Sequence, residues 1–187
     1  MFVVFEGIDG SGKSSVIARL KDHLESKGMK VKVTAEPTGG AIGKFVASTD
    51  DLIPEAEALL FVADRALHTK EIQRWMDDGY VVLCDRYFAS TLAYQSAAGM
   101  DPGWLKAINS NVIIRPDTTI LMDIDPEVSL KRVDARGEKS RFEKLDYLRK
   151  VREAYLSLAK EFGFVIIDAD RDRESVADDV IAKVGGL

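Results

Sequence analysis

The sequence contains little cysteine, no long apolar run and no excess of positive charge. Cys84 is its single cysteine, so we expect no internal disulfide and interpret Cys84 as a buried strand residue. The apolar stretches are too short to cross a bilayer, and the first residues lack the basic and apolar regions of a signal peptide. A net charge of -5 disfavours bulk nucleic-acid binding. We therefore expect a cytoplasmic protein with no membrane or nucleic-acid partner, which binds anions only through a local cationic pocket.

Short apolar runs alternate with longer segments of helical period, a pattern typical of an α/β fold with a parallel sheet. The composition, 46% hydrophobic and 30% charged over 187 residues, indicates an ordinary globular chain, which we interpret as a single domain over 1–187. Strands are predicted at 2–6, 31–35, 80–84, 118–123 and 164–168. Helices are predicted near 13–27, 41–48, 54–77, 86–98, 102–110, 126–136, 142–162 and 174–184.

Polar residues follow four of the predicted strands. They are Gly7 to Ser14, Glu36-Pro37, Asp85-Arg86 and Ala169 to Arg171. Because ligands of parallel sheets bind outside the carboxyl ends of the strands, we expect the functional residues to meet along this edge.

The segment from Gly7 to Ser14 fits G-x-x-x-x-G-K-[ST] between a predicted strand and a predicted helix. Glycines let backbone N–H groups approach phosphates, Lys13 reaches the β and γ phosphates, and the Ser14 hydroxyl can bind Mg²⁺. The predicted ATP phosphate site comprises Gly7, Asp9, Gly10, Ser11, Gly12, Lys13, Ser14 and Ser15. A switch GTPase is disfavoured, because the strand that ends at Asp85 continues as Asp-Arg-Tyr-Phe and not as Asp-x-x-Gly, and no Asn/Thr-Lys-x-Asp motif occurs.

Asp85-Arg86 ends an apolar strand on the same edge. There Asp85 can join the Mg²⁺ shell, and Arg86 can hold a second phosphate with two N–H donors. The alternative is a surface ion pair at a strand end.

Two helical clusters indicate a pocket for a planar base. Phe61 and Arg65 lie four residues apart and so share one helix face, as do Thr91, Tyr94 and Gln95. An aromatic face with a guanidinium can grip a base that carries carbonyl groups. Core packing is the alternative for the two aromatic residues.

Residues 131–144 hold six positive and three negative side chains, in contrast to the acidic chain as a whole. Gly137 can end one helix, and Ser140 with Glu143 can cap the next. We interpret residues from about 134 to 145 as a lid whose arginines, Arg136 and Arg141, close over the transferring phosphoryl group. A solvated charged surface is the alternative.

The motifs taken together resemble thymidylate kinases from residue 2 to about 170. They are Phe5 to Ser14, Glu36-Pro37, Leu60-Phe61, Asp64 to His68, Asp85 to Gln95, Arg136-Gly137 and Arg141 to Glu143. The resemblance implies a P-loop kinase fold with a five-stranded parallel sheet flanked by helices and a helical lid. It also implies that ATP and dTMP are converted to ADP and dTDP with Mg²⁺, and that the enzyme is a homodimer.

The resemblance assigns roles to individual residues. Arg86 would hold the dTMP phosphate, and Asp9 would contact the deoxyribose 3′-hydroxyl or help hold the metal. Phe61 would stack on thymine and Arg65 would donate to its O4. Thr91 would lie near the polar edge of the base and Tyr94 against the sugar C2′, with Glu36 and Gln95 also in the acceptor site.

The other assignments concern the lid and the donor nucleotide. Arg136 and Arg141 would lie on the phosphates, and Glu143 would bind the metal or order the lid. The loop from Ala169 to Arg171 would lie at the edge of the adenine.

Three positions depart from the common family pattern: Ala35, the order Thr38-Gly39-Gly40 and Ser140. Other functions also stay open at this stage. A deoxynucleoside kinase would need a carboxylate base, for which Glu36 is available, and another nucleoside monophosphate kinase or a non-catalytic nucleotide-binding module would share the P-loop.

Overall fold

The computed structural model describes residues 1–134 and 145–184. Its strands are β1 (Phe2–Glu6), β2 (Val31–Ala35), β3 (Val81–Asp85), β4 (Thr118–Asp123) and β5 (Val165–Asp168). Its helices in the described ranges are α1 (Lys13–Ser26), α2 (Ala41–Ser48), α3 (Pro54–Asp77), α4 (Phe88–Ala97), α5 (Pro102–Asn109), α6 (Pro126–Asp134), α7 (Leu145–Phe162) and α8 (Arg173–Val184).

The five strands form one parallel sheet in the order β2-β3-β1-β4-β5, which confirms the predicted α/β fold. All residues of the central strand β1 are buried, and the apolar run over residues 2–5 is typical of a strand covered on both faces. The edge strands β2 and β5 are partly exposed. This order places the ends of β2, β3 and β1 side by side.

The core lies between the sheet and its helices. Helix α1 packs against α8 and helix α4 against α7. Tyr87, Tyr155 and Phe5 are among the largest fully buried side chains. Cys84 is fully buried on β3, as predicted, and burial raises the pKa of its thiol well above the usual value. No helix in the two described ranges is long and apolar enough to cross a membrane.

Helix α4 begins at Phe88 and not at residue 86 as predicted. Arg86 has a left-handed backbone (φ 68°), and Tyr87 is extended. The Arg86 N–H donates to the Phe5 carbonyl at 2.8 Å, which continues the pairing of β3 with β1. Because this long-range bond holds the backbone in a non-helical conformation, the helix starts two residues later. Left-handed residues other than glycine are uncommon and often mark functional sites.

The predicted lid falls mostly outside the described residues. Arg136, Arg141 and Glu143 all lie there, and only the helices on either side, α6 and α7, belong to the described part.

Candidate active site

The loop after β1 passes close to the neighbouring backbone. Gly7 and Gly10 have positive φ, 138° and 78°. A Cβ at Gly7 would lie 2.6 Å from the Met122 carbonyl oxygen, and one at Gly10 would lie 2.7 Å from the Ser129 carbonyl oxygen. The Ser129 hydroxyl also donates to the backbone oxygen of Asp9. Only glycine fits at these two positions, so β4 and α6 fix the shape of the loop.

Lys13, the first residue of α1, lies folded back under this loop. Its Nζ donates to the carbonyl oxygens of Gly7 at 3.0 Å and Ile8 at 3.3 Å, and it lies 3.9 Å from Asp85 Oδ1. Burial, together with the nearby charge of Arg86, lowers the pKa of Lys13 to about 8, although the surrounding carboxylates oppose this shift. A polyanion bound here would favour the charged form.

A polar cavity of about 310 Å³ opens between the P-loop and the ends of β2 and β3. It is lined by Asp9, Gly10, Gly12, Lys13, Ser14, Ser15, Ala35, Glu36, Asp85 and Arg86. Six of the eight predicted phosphate-site residues therefore lie together. The other two do not line the cavity: Gly7 packs against β4, and the Ser11 hydroxyl is buried without a hydrogen-bond partner in the described part of the chain.

Ser14 and Asp85 supply oxygen atoms suited to Mg²⁺. The Ser14 hydroxyl donates to Asp85 Oδ2 at 3.3 Å, and Asp85 Oδ1 is buried with no hydrogen-bond partner among residues 1–134 and 145–184. The same ranges contain no group of three His, Cys, Asp or Glu residues that could hold a metal. Magnesium commonly binds one or two carboxylates together with substrate phosphates and water, so the pair fits a metal that arrives with a nucleotide.

Arg86 is held by side chains from three elements. Its Nη2 donates to Asp9 Oδ1 at 2.5 Å and to the Tyr94 hydroxyl at 3.4 Å. Its Nη1 donates to Ser90 Oγ at 3.1 Å and to the Tyr155 hydroxyl at 3.4 Å. The guanidinium carbon also lies 5.2 Å from the centre of the Tyr94 ring. The guanidinium is therefore fixed beside the P-loop before any ligand binds.

Glu6, which the sequence motifs do not predict as a site residue, supports this arrangement. Its buried carboxylate accepts hydrogen bonds from the Tyr87 N–H at 2.9 Å, from the Ser90 hydroxyl at 2.6 Å and from the Tyr155 hydroxyl at 3.0 Å. Burial raises the pKa of Glu6, and the hydrogen bonds and the charge of Arg86 partly offset that shift. A carboxylate at the end of an apolar strand, next to the P-loop, was the available signal.

A second cavity, of about 160 Å³, adjoins the first. It is lined by Asp9, Glu36, Pro37, Phe61, Arg65, Arg86, Tyr87, Ser90, Thr91, Tyr94 and Gln95. Every residue predicted for the acceptor site is in this set. Its walls are mostly apolar, with a few polar groups, which is the usual make-up of a small-molecule site.

Arg65 is almost fully buried at one side of this cavity. Its Nε and Nη2 lie 2.8 and 2.7 Å from the same oxygen of Glu36, Oε2. Nη2 also donates to Thr91 Oγ1 at 3.1 Å, and Nη1 donates to Asn109 Oδ1 at 2.6 Å. The other Glu36 oxygen lies 2.9 Å from His68 Nδ1. Both oxygens of Glu36 are therefore occupied by residues of α3.

The segment after Glu36, which departs from the family pattern, is also held by α3. Asp64 accepts hydrogen bonds from the Thr38 N–H at 2.7 Å and from the Thr38 hydroxyl at 2.6 Å. Thr38 thus anchors its own loop, and the order Thr38-Gly39-Gly40 is compatible with a fixed Glu36.

Gln95 lies at the other side of the cavity. Its Nε2 donates to Glu57 Oε2 at 3.0 Å, while its buried Oε1 has no hydrogen-bond partner among the described residues. Glu57 was not predicted, although it lies four residues before Phe61 and shares its helix face. Because Nε2 faces a carboxylate, the oxygen of Gln95 remains as an acceptor.

The predicted adenine-edge loop follows β5. The Ala169 N–H donates to the Asp123 carbonyl at 2.7 Å, and the Ala169 carbonyl accepts a hydrogen bond from Arg132 at 3.0 Å. Arg171 instead turns its side chain toward Asp179 on α8. Arg132, which the sequence presents only as part of the basic segment, therefore reaches this loop.

A five-stranded parallel sheet, a P-loop and a second cavity that opens onto it define a P-loop kinase. The comparisons with known proteins are more specific. Residues 5–180 match the family model described as thymidylate kinase. A probable thymidylate kinase of Archaeoglobus fulgidus is 44% identical over 96% of this chain and 92% of its own. Those of Pyrobaculum calidifontis and Pyrobaculum aerophilum are 44% and 45% identical, over 97% and 96% of this chain and 94% and 93% of theirs. The chain belongs to the thymidylate kinase family.

Proposed function

We propose that this protein transfers the γ-phosphoryl group of ATP to dTMP, giving ADP and dTDP. The observation that carries the proposal is that the two cavities share three lining residues, Asp9, Glu36 and Arg86. A triphosphate on the P-loop and a monophosphate in the second cavity would therefore meet at Arg86. This is the alignment that phosphoryl transfer requires.

The acceptor needs no general base. Its phosphate has a second pKa of about 6 and is mostly ionised at neutral pH. The difficulty is the approach of two polyanions, which Lys13 and Arg86 oppose with positive charge. Lys13 is buried and the Arg86 side chain is 18% exposed, and several partners hold each of them, so they need little rearrangement when the reactants bind.

The base and sugar occupy the second cavity. Phe61 stacks on thymine, and Arg65 donates to its O4. Thr91 and Gln95 lie at the polar edge of the base, where the unpartnered Gln95 oxygen can accept the N3–H. Tyr94 lies against C2′, where a ribose hydroxyl would meet its ring.

The remaining charge comes from the lid. Arg136 and Arg141 neutralise the phosphates of the transition state, and Glu143 orders the lid or the metal. These three residues lie outside the described part of the chain, and their roles rest on the basic sequence of 131–144 and on family membership.

Ser14 and Asp85 would hold the Mg²⁺ that accompanies ATP. Bound there, it would neutralise charge on the donor phosphates. The adenine lies at the loop of Ala169 and Arg171, with Arg132 beside it.

We further propose that one domain over 1–187 acts as a cytoplasmic homodimer. The dimer is supported by exposed apolar side chains on neighbouring helices. Leu59 and Leu67 of α3 are 48% and 59% exposed and lie two turns apart, and Phe45 of α2, which packs against α3, is 51% exposed. Such a surface is typical of a subunit interface.

A deoxynucleoside kinase is less compatible with the site. Its base would be Glu36, but one oxygen of that carboxylate binds Arg65 and the other lies against His68. A carboxylate so occupied is poorly placed to take a proton from a substrate hydroxyl.

The proposal is tested by ADP release with Mg-ATP and one acceptor at a time. We expect turnover with dTMP and little above the acceptor-free rate with thymidine. ADP release with thymidine but not with dTMP would support the nucleoside kinase, and ATP binding without ADP release with any acceptor would support a binding module. The other nucleoside monophosphates, dUMP among them, define the breadth of the acceptor site.

A further inference from the structure

We propose that Asn109 is a positioning residue that sets the preference for thymine over cytosine by acting through Arg65. The inference rests on the proposed function and concerns a residue that does not line the acceptor cavity. Asn109 is the last residue of α5 and is 1% exposed.

The Asn109 amide is bonded at both ends. Its Oδ1 accepts a hydrogen bond from Arg65 Nη1 at 2.6 Å, and its Nδ2 donates to the Leu105 carbonyl at 2.8 Å. Flipping the amide would turn its NH₂ group toward the guanidinium and its oxygen toward a carbonyl, losing both bonds. The orientation that accepts from Arg65 is therefore fixed by α5 itself.

The contacts of Arg65 leave one N–H for a ligand. A guanidinium has five N–H groups. Glu36 takes two of them, Thr91 takes one on Nη2 and Asn109 takes one on Nη1. Within the described part of the chain, the single remaining donor is therefore the second N–H of Nη1, the nitrogen that Asn109 holds.

One donor in a fixed direction distinguishes two pyrimidines. Thymine presents a carbonyl oxygen at position 4, which can accept this hydrogen bond, whereas cytosine presents an amino group, which cannot. A buried donor that is left unpaired costs binding free energy, so an Nη1 held in this position weakens the binding of cytosine relative to thymine. Glu36 holds Nε and Nη2 through the single oxygen Oε2, so removing Asn109 would let the planar guanidinium pivot about that oxygen and move Nη1, while the charge stays in place.

The test compares Asn109→Ala, Asn109→Asp and the control Asn111→Ala, an exposed asparagine two residues further on. For each we would measure kcat and KM with dTMP, the competitive inhibition constant of dCMP and the melting temperature. For Asn109→Ala we expect KM for dTMP to rise about tenfold, with kcat within about twofold and dCMP inhibition little changed. The ratio of the dCMP constant to the dTMP KM should thus fall about tenfold.

Asn109→Asp separates positioning from stability. It keeps an acceptor for Arg65 but loses the donor to Leu105, so it should lower the melting temperature while it largely preserves the ratio. An unchanged ratio in Asn109→Ala, or a ratio that follows melting temperature across the variants, would overturn the inference. A wild-type protein that does not phosphorylate dTMP would overturn the proposed function as well. If the wild-type protein phosphorylates dTMP and the ratio in Asn109→Ala is unchanged, only the role of Asn109 is overturned.

Discussion

Arg86 donates to the carboxylate of Asp9 at 2.5 Å, and this contact joins the end of β3 to the P-loop. The two residues also border both cavities. A phosphate bound by Arg86 is therefore held by a side chain whose position depends on the ATP loop. The geometry couples the acceptor site to the donor site without any additional element.

Arg86→Lys should damage acceptor use far more than ATP use. An ammonium group cannot reproduce the contacts that the two guanidinium nitrogens make with Asp9, Ser90 and Tyr94. We expect kcat/KM for dTMP to fall about 10²–10³-fold while the Kd of ATP changes little. Steady-state kinetics and nucleotide titration measure the two effects. Arg149→Lys, in an exposed ion pair of α7, is the matched control and should behave like wild type. A comparable loss of ATP affinity in Arg86→Lys would contradict the assignment to the acceptor.

Lys13 should take up a proton when ATP binds at alkaline pH. Its pKa in the free protein is about 8, below the ordinary value of 10.5, so half the lysines are neutral at pH 8. Bound phosphates favour the charged form, and an uptake of about half a proton per site is expected at pH 8, with almost none at pH 6.5. Calorimetry in buffers of different ionisation enthalpy measures the proton uptake. The same measurement on Lys13→Met gives the protons exchanged by ATP itself, and this value is subtracted. Equal uptake by both proteins at pH 8 would exclude this role.

The same depressed pKa gives a stability change of definite sign. The folded state disfavours the protonated lysine, so the penalty is fully present below pH 8. It is relieved as the pH rises from about 8 to 10.5, the interval between the folded and ordinary values. Over that interval Lys13→Met should gain less stability than wild type in denaturant unfolding.

The lid arginines should act on turnover and not on nucleotide binding. We expect Arg136→Ala or Arg141→Ala to lower kcat by about two to four orders of magnitude, because they supply charge in the transition state. Lys139→Ala, in the same basic segment, serves as the control for general charge. Wild-type turnover in both single arginine variants would contradict the lid assignment.

The dimer proposal predicts that a charged substitution on the exposed surface of α3 breaks the dimer. Leu67→Glu places a charge on the exposed apolar surface, and light scattering should then report a monomer where wild type is a dimer. Ile166→Glu changes another apolar residue that is half exposed, on the edge strand β5, and should leave the dimer intact. A monomeric wild-type protein would contradict the proposal directly.

The sequence predicted those parts of the molecule that are encoded locally. Strand β1 and the P-loop show as an apolar run followed by a motif, and the helix faces of Phe61 with Arg65 and of Thr91 with Gln95 show as spacings of four. The family resemblance was confirmed by the comparisons.

The contacts that the sequence did not predict join residues that lie far apart in the chain. Glu6 meets Ser90 across 84 positions, and Arg65 meets Asn109 across 44. No local period reports such pairs. The late start of α4 has the same origin, since the Arg86 N–H is bound by Phe5 of another strand.

The most direct test of the central claim is the fate of a labelled γ-phosphoryl group. With Mg-ATP carrying ³²P at the γ position, we predict that dTMP yields labelled dTDP, with little label released as inorganic phosphate. Arg86→Ala should greatly reduce that product while it still binds ATP. Two results would contradict the account. One is label that appears only in inorganic phosphate. The other is labelled dTMP when thymidine is supplied, with no labelled dTDP when dTMP is supplied.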